Sequence, residues 1–340
     1  RDVERSRGLG DVYKRQVLNR KDRTISHKHF YDIVDLIDKD TLLVMNNTKV
    51  LPARLIGHKD TGAKIEVFLL KQANFQNQGN DCWDVLIKPS KRIKPDTIIK
   101  ISEELSVRAI KRLEENGEWL VELIFEGDNV LEILHRNGNI PLPPYIERKI
   151  PDEDLKKLDF ERYQTVYAKD EGSVAAPTAG LHFTQAILQK LQEKGVELAY
   201  VTLNVGLGTF RPVQCENVLE HKMHSETFEI SEKAAEQINR AKREGKKIIA
   251  VGTTTVRTLE TAFQKFGCIK PCHDHSELFI YPPYEFKVID NLITNFHLPK
   301  STLLMLVSAL AGKDFIFEAY KEAIENKYRF FSYGDCMLIN

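Results

Sequence analysis

The chain has 340 residues, with 49 Lys+Arg against 49 Asp+Glu, 42% hydrophobic residues and 29% charged residues. That balance excludes a low-complexity disordered chain and a uniformly basic nucleic-acid coat, so any RNA contact must come from local basic patches. The length predicts two domains, and the longest apolar run, Leu303 to Leu310, falls short of the ~20 residues of a membrane span and fits a buried helix.

Residues 1–16 are polar, glycine-interrupted and aperiodic, and are expected to be non-native or disordered sequence whose removal leaves the fold unchanged. Ordered sequence is expected from Val17. Thr41-Leu-Leu-Val-Met45 is an apolar run bounded by polar residues and predicts a buried strand. Between Arg54 and Phe125, strands are expected at Lys64–Leu70, Cys82–Ile87, Thr97–Ile101, Leu105–Ile110 and Glu118–Phe125, with turn signals such as Asp60-Thr-Gly62 and Asn116-Gly117 between them. That spacing predicts a small antiparallel barrel, closed by a short helix at Val130–Arg136 and left through the stiff Pro141-Leu-Pro-Pro144.

Helix and strand then alternate. Thr184 can cap a helix with Ile187, Leu188 and Leu191 on one face and Gly195 at its end. A strand at Glu197–Asn204 follows, then a helix from Ser231 with Ala234, Ala235, Ile238 and Ala241 inward, a strand at Lys247–Val251, and a helix through about Phe266. The expected fold is α/β: a large domain with a mixed sheet (17–53 and 146–340) and an inserted small antiparallel β-barrel domain (54–145).

Five stretches carry candidate chemistry. Ser173-Val-Ala-Ala-Pro-Thr-Ala-Gly-Leu-His-Phe-Thr184 packs small residues that admit a ligand close to the backbone, with His182 as a neutral-pH acid or base; a tight turn with a capping histidine accounts for it equally. Leu203-Asn-Val-Gly-Leu-Gly-Thr-Phe-Arg-Pro212 follows a strand as a nucleotide turn does, but Arg211 stands where a full fingerprint needs a third glycine. In His221-Lys-Met-His-Ser-Glu226, an extended chain would put His224 and Glu226 on one side as an acid/base pair, or as a structural hydrogen bond. Val251-Gly-Thr-Thr-Thr-Val-Arg257 brings glycine and hydroxyls to a helix N-terminus, either an anion site or simple capping. Ile293-Thr-Asn-Phe-His-Leu-Pro-Lys-Ser-Thr302 clusters Asn295, His297, Lys300 and Ser301 where a sheet end meets a helix start.

Two further features are bland. Cys82, Cys215, Cys268, Cys272 and Cys336 are odd in number, and no secretory signal is apparent, so free thiols in a reducing cytosol are expected. Cys268-x-x-x-Cys272-His273-x-His275 fits no standard zinc spacing and is expected in a surface loop, without metal.

In this order and wording, the five stretches closely resemble the QueA family of queuosine biosynthesis. Asn46-Asn-Thr-Lys-Val-Leu-Pro-Ala-Arg54 and Tyr328-Arg-Phe-Phe-Ser-Tyr-Gly-Asp335 are similar to that family's beginning and end, so the resemblance runs from about residue 17 to the C-terminus. It implies an enzyme that transfers and isomerises the ribosyl moiety of S-adenosylmethionine onto preQ1 at wobble position 34 of a tRNA with a GUN anticodon. The implied products are epoxyqueuosine-tRNA, adenine and methionine. S-adenosylmethionine is consumed as a substrate and no cofactor is implied; a cytoplasmic monomer without membrane contact is expected. Two departures stand out: residues 1–16 do not resemble the family's N-terminal segment, and Pro283 occupies a usual glycine position.

That chemistry needs a base beside the sulfonium, an acid for adenine, and anchors for the methionine carboxylate and ribose hydroxyls. His182, His224 with Glu226, and His297 are the acid/base candidates. The substrate-binding candidates are Arg54, Thr178, Gly180, Asn204, Gly206, Gly208, Thr209, His221, Thr253, Thr254, Thr255, Arg257, Asn295, Lys300 and Ser301. Lys88, Lys91, Arg92 and Lys94 are candidates for RNA phosphates. A methyltransferase, which would leave S-adenosylhomocysteine, and a non-catalytic RNA-binding module are the competing classes.

Overall fold

The computed structural model describes residues 13–73, 81–113, 117–143, 146, 153–206, 218–221 and 223–340. Its elements are β1 (Lys14–Asn19), β2 (Thr24–His29), α1 (Ile33–Leu36), β3 (Thr41–Asn46), β4 (Thr48–Val50), β5 (Arg54–His58), β6 (Lys64–Gln72), β7 (Asp81–Lys88), β8 (Ile98–Lys100), β9 (Leu105–Arg112), β10 (Trp119–Phe125), α2 (Val130–Asn137) and α3 (Glu153–Arg162). They continue with β11 (Asp170–Ser173), α4 (Gln185–Lys194), β12 (Glu197–Leu203), β13 (Glu226–Ile230), α5 (Glu232–Arg243), β14 (Lys247–Val251), α6 (Thr253–Phe266), β15 (Cys272–Ser276), β16 (Asn291–Asn295), α7 (Thr302–Ala311), α8 (Lys313–Glu325) and β17 (Cys336–Ile339).

The chain divides into two compact units. One holds the residues up to Lys49, Gln164–Asp170 and Ala176–Asn340; the other holds Val50–Tyr163 and Glu171–Ala175. The division differs from the expected 54–145 insertion. The barrel's core also takes in Leu51 and Ala53 ahead of β5 and Val174 after β11, so its unit is wider than the run of strands suggests.

In the larger unit the described residues form a nine-stranded sheet in the order β15-β13-β12-β3-β14-β16-β17-β1-β2. The central strands β12, β3, β14 and β16 are parallel neighbours. The apolar runs of β3, β14 and β16 are buried on both faces, as central parallel strands require, while β12 alternates buried and half-buried residues. Leu43, Met45, Ile249, Val251 and Ile293 share a core with Ile187, Leu188 and Leu191 of α4, while α5 and α6 also pack on β14 and β12. The expected caps are present: Thr184 accepts from the Ile187 N–H at 3.2 Å and Ser231 from the Ala234 N–H at 3.2 Å. Gly195, at φ 98°, ends α4 in the left-handed region that favours glycine.

The smaller unit contains a closed six-stranded barrel, in the order β10-β7-β6-β5-β8-β9. Strand β5 was not among the expected strands. Gly57 interrupts its pattern, yet a Cβ there would sit 2.5 Å from the Lys100 carbonyl oxygen, so only glycine lets β5 approach the end of β8.

The N-terminal boundary is corrected. Strand β1 begins at Lys14, not Val17, and lies inside the sheet, pairing parallel with β17 (Arg15↔Cys336) and antiparallel with β2 (Lys14↔His29). Tyr13, Arg15 and Gln16 are buried. Backbone pairing recruits these residues whatever their side chains, and polarity misled the sequence reading there. The rest of that segment, residues 1–12, lies outside the described residues. A second correction concerns Cys272–Ser276, which forms edge strand β15 against β13 instead of a surface loop.

Arg15 is costly where it sits. Its side chain is 0% exposed, Nη1 donates to the Phe30 carbonyl at 3.4 Å, and Nε and Nη2 lack a partner among the described residues. Burial holds its pKa below the ordinary arginine range. Replacing Arg15 with Leu removes this unmet polarity and should stabilise the protein by about 1–3 kcal/mol in urea unfolding. Deleting the chain through Gln16 removes three β1 residues from between two strands and should instead lower stability; unchanged stability on that deletion would return residues 13–16 to a dispensable tail.

Candidate active site

The parallel strands all deliver their carboxyl ends to one edge of the sheet, where α/β proteins place their ligands. At that edge lie Asn46 at the end of β3, Asn204 and Gly206 after β12, Gly252 and Thr253 after β14, and Asn295 and His297 at and beyond β16. Antiparallel β13 begins at the same edge with Glu226.

Glu226 is the electrostatic centre. Its carboxylate is buried and ion-paired with Arg257 of α6, the two side chains being 3% and 4% exposed. Oε1 accepts from the Gly206 N–H at 2.9 Å, while Arg257 donates through Nε to the Leu278 carbonyl and through Nη2 to the Ser276 carbonyl, each at 3.2 Å. The expected His224–Glu226 acid/base pair is therefore corrected. His224 precedes the strand and is exposed, whereas both Glu226 oxygens are engaged elsewhere. His221 is half-buried with its ring edge-on to Phe279, and burial followed by the nearby His224 lowers its pKa.

His182 lies in a short 3-10 turn, Thr178–His182, that packs on β16. Its ring stacks on Phe30 (centroids 5.3 Å apart) and meets Tyr13 edge-on (5.5 Å). Asn295 Nδ2 donates to His182 Nε2 at 3.2 Å and to the Phe331 carbonyl at 3.3 Å, and Asn295 Oδ1 accepts from the Thr178 hydroxyl at 3.2 Å. A carbonyl oxygen only accepts, so the Phe331 contact sets which way the Asn295 amide faces. His182 Nε2 is then an acceptor and the ring proton belongs on Nδ1.

His297 has a different fate. Its Nε2 bonds Thr294 Oγ1 at 2.9 Å, its backbone N–H donates to Tyr320 Oη at 2.7 Å, and burial pushes its pKa from 6.5 down to about 3. Burial thus favours the neutral imidazole, which accepts a proton less readily than an exposed one. Ser301 caps α7, accepting from the Leu304 N–H at 3.1 Å, and Lys300 is exposed in the turn before it, so neither joins the buried cluster.

Gly252, at φ 87°, turns β14 into α6, and that positive φ is the reason for glycine there. Thr255 and Thr258 donate back to the Val251 and Thr254 carbonyls (2.7 and 3.0 Å), so these hydroxyls do not cap the helix. Gly180 has a packing role: a Cβ would lie 2.0 Å from Tyr167 Oη, so a side chain and no ligand occupies the space beside it. Arg54 is engaged on the barrel by Glu66, at 3.0 and 2.7 Å. Gly208 and Thr209 lie outside the described residues. Lys88, Lys91, Arg92 and Lys94 are all exposed on the barrel unit. Asn46, which opens the stretch Asn46–Arg54 but is not among the candidate site residues, sits in the centre of the edge; its signals in the sequence are that stretch and its place closing the apolar run Thr41–Met45.

A mixed sheet that brings amides, hydroxyls, an imidazole and the start of a long helix to the carboxyl ends of its parallel strands has the arrangement in which α/β enzymes hold small-molecule ligands. The chain belongs to the queuosine biosynthesis protein family, whose profile matches residues 13–339. It is 52% identical over 332 residues to the S-adenosylmethionine:tRNA ribosyltransferase-isomerase of Acetivibrio thermocellus, covering 97% of this chain and 93% of the relative. The enzyme of the same name from Clostridioides difficile is 50% identical over 324 residues, covering 95% and 91%. The crystal structure of S-adenosylmethionine tRNA ribosyltransferase from Thermotoga maritima shares 35% identity and a TM-score of 0.52, covering 97% of this chain and 93% of that one.

Two outcomes follow from the buried charges. Arg257→Met strands the Glu226 carboxylate and should cost about 3–5 kcal/mol in denaturant unfolding, with part of the loss recovered when Glu226→Gln is added. For His297, the unfolded chain takes up a proton below about 6.5 that the folded chain refuses until about 3. Stability is therefore fully present above 6.5 and falls with pH through that window, by at most ~1.4 kcal/mol per unit. His297→Gln should flatten this acid limb in urea titrations between pH 6.5 and 4; an unchanged slope would show that His297 takes up its proton in the folded state as readily as in the unfolded one.

Proposed function

We propose that this protein is a S-adenosylmethionine:tRNA ribosyltransferase-isomerase of queuosine biosynthesis, acting as a cytoplasmic monomer on preQ1 at position 34 of tRNAs with a GUN anticodon. The observation that carries this is the family match across residues 13–339, joined to a cluster of buried polar groups at the carboxyl edge of the sheet.

The sulfonium of S-adenosylmethionine acidifies the carbons beside it. Loss of a proton at C5′ starts ring opening and expels adenine, the preQ1 amine attacks, and an alkoxide closes the epoxide as methionine leaves. Ribosyl carbons pass to the tRNA, the methyl group leaves within methionine, and the proposed reaction balances without a metal or other cofactor.

In this chain, His182 is the leading proton carrier, because Asn295 orients its ring in one tautomer and apolar rings limit its access to water. His224, exposed before β13, is the second. Glu226 and Arg257 hold the Gly206 turn rather than exchanging protons. The N-terminus of α6, with Thr253, offers N–H groups to the methionine carboxylate, and Asn204 lies on the adjoining turn for ribose hydroxyls. The exposed Lys88, Lys91, Arg92 and Lys94 have no ion-pair partner among the described residues and suit RNA phosphates.

Doubly labelled S-adenosylmethionine with preQ1-tRNA tests this. Adenine, methionine and modified tRNA should appear in equal amounts, with ribose label in the tRNA and methyl label in methionine; methyl label in the tRNA would make the protein a methyltransferase. His182→Ala should lose ~10²–10⁴-fold in turnover while still binding tRNA. Neutralising Lys91, Arg92 and Lys94 should weaken tRNA binding and flatten its salt dependence.

A further inference from the structure

The last backbone rung between β3 and β12 is the Asn47 N–H donating to the Val201 carbonyl at 3.0 Å. Beyond it the backbone turns away, and the fully buried side chain of Asn46 continues the ladder in its place. Asn46 Oδ1 accepts from the Leu203 N–H at 3.0 Å and Nδ2 donates to the Leu203 carbonyl at 3.0 Å, so the amide pairs with Leu203 as a peptide group of a neighbouring strand would. The same Oδ1 accepts from the Thr48 N–H at 3.1 Å, and the same Nδ2 reaches Thr254 Oγ1 at 3.3 Å.

The orientation of this amide is not arbitrary. Two of its partners are N–H groups that only donate and one is a carbonyl that only accepts, so oxygen and nitrogen cannot exchange places. The four contacts lie on three separate segments: the start of β4, the end of β12, and the first turn of α6. Thr48 passes the constraint on, its hydroxyl donating to Asn204 Oδ1 at 2.9 Å. Aspartate would supply the acceptors without the donors. Alanine would leave four buried groups unpaired.

We propose that Asn46 is a positioning residue for S-adenosylmethionine. It touches no reacting atom; it sets the register between the 204–206 turn and the start of α6, so that both face one ligand together. This rests on the reading above that those two segments hold S-adenosylmethionine.

The test is steady-state kinetics with each substrate varied, alongside tRNA binding and thermal melting, on the full chain. Asn46→Asp should raise KM for S-adenosylmethionine by ~10-fold or more, the worth of one or two buried hydrogen bonds, with tRNA affinity unchanged. Thr254→Val should raise the same KM less, and Thr254→Ser, which keeps the hydroxyl, should restore it. The Asn46→Leu/Thr254→Val pair should be less than additive, because each removes the Asn46–Thr254 hydrogen bond. An unchanged KM for Asn46→Asp, a parallel loss of tRNA affinity, or full additivity would overturn the proposal. Thr253→Val and Asn204→Ala serve as references. If they raise KM for S-adenosylmethionine and Asn46→Asp does not, the positioning role fails and the site assignment stands; if none of them does, both fail. Should Asn46→Asp not fold, the Thr254 pair decides: equal KM values for Val and Ser would refute the role.

Discussion

The Glu226–Arg257 ion pair is the constraint on which the site edge depends. Neither charge reaches solvent, so each must find all its partners inside the protein. Arg257 does so on the Leu278 and Ser276 carbonyls, and Glu226 on the Gly206 N–H. One helix, one strand start, the loop after β15 and the turn after β12 are thereby held in a fixed relation. Both oxygens of this carboxylate are thereby committed to holding these segments together.

The three histidines show how environment divides one residue type among different tasks. His182 is enclosed by two aromatic rings and oriented by Asn295, which suits directed proton transfer. His297 is fully enclosed, and burial lowers its pKa. His224 stands exposed on the chain before β13. Spacing treats all three alike; only their surroundings set an oriented ring, a ring held between Thr294 and Tyr320, and an exposed one apart.

The same separation applies to the glycines and polar residues of the motifs. Gly180 and Gly252 look like ligand-facing residues in a sequence, but one makes room for Tyr167 and the other supplies a positive φ. Asn46 opens a family-like stretch without a role that the sequence assigns, yet its amide stands in for a missing peptide group in the ladder. Polar side chains at strand ends must be satisfied once buried, and the partners that satisfy them come from distant parts of the chain.

What the sequence determined by itself was local and periodic. Apolar runs and capping residues marked β3, α4, α5 and β14, because each signal lies within a few residues of the element it creates. Motif order likewise marked the family. Tertiary structure alone decided that Lys14 to Gln16 join β1, since pairing with β2 and β17 brings partners from 11 or more positions away and takes no account of side-chain polarity. It also decided that Glu226 meets Arg257 and that Asn46 meets Leu203 and Thr254. Those contacts span 31, 157 and 208 residues, and no local pattern encodes a partner that only the closed sheet brings within reach.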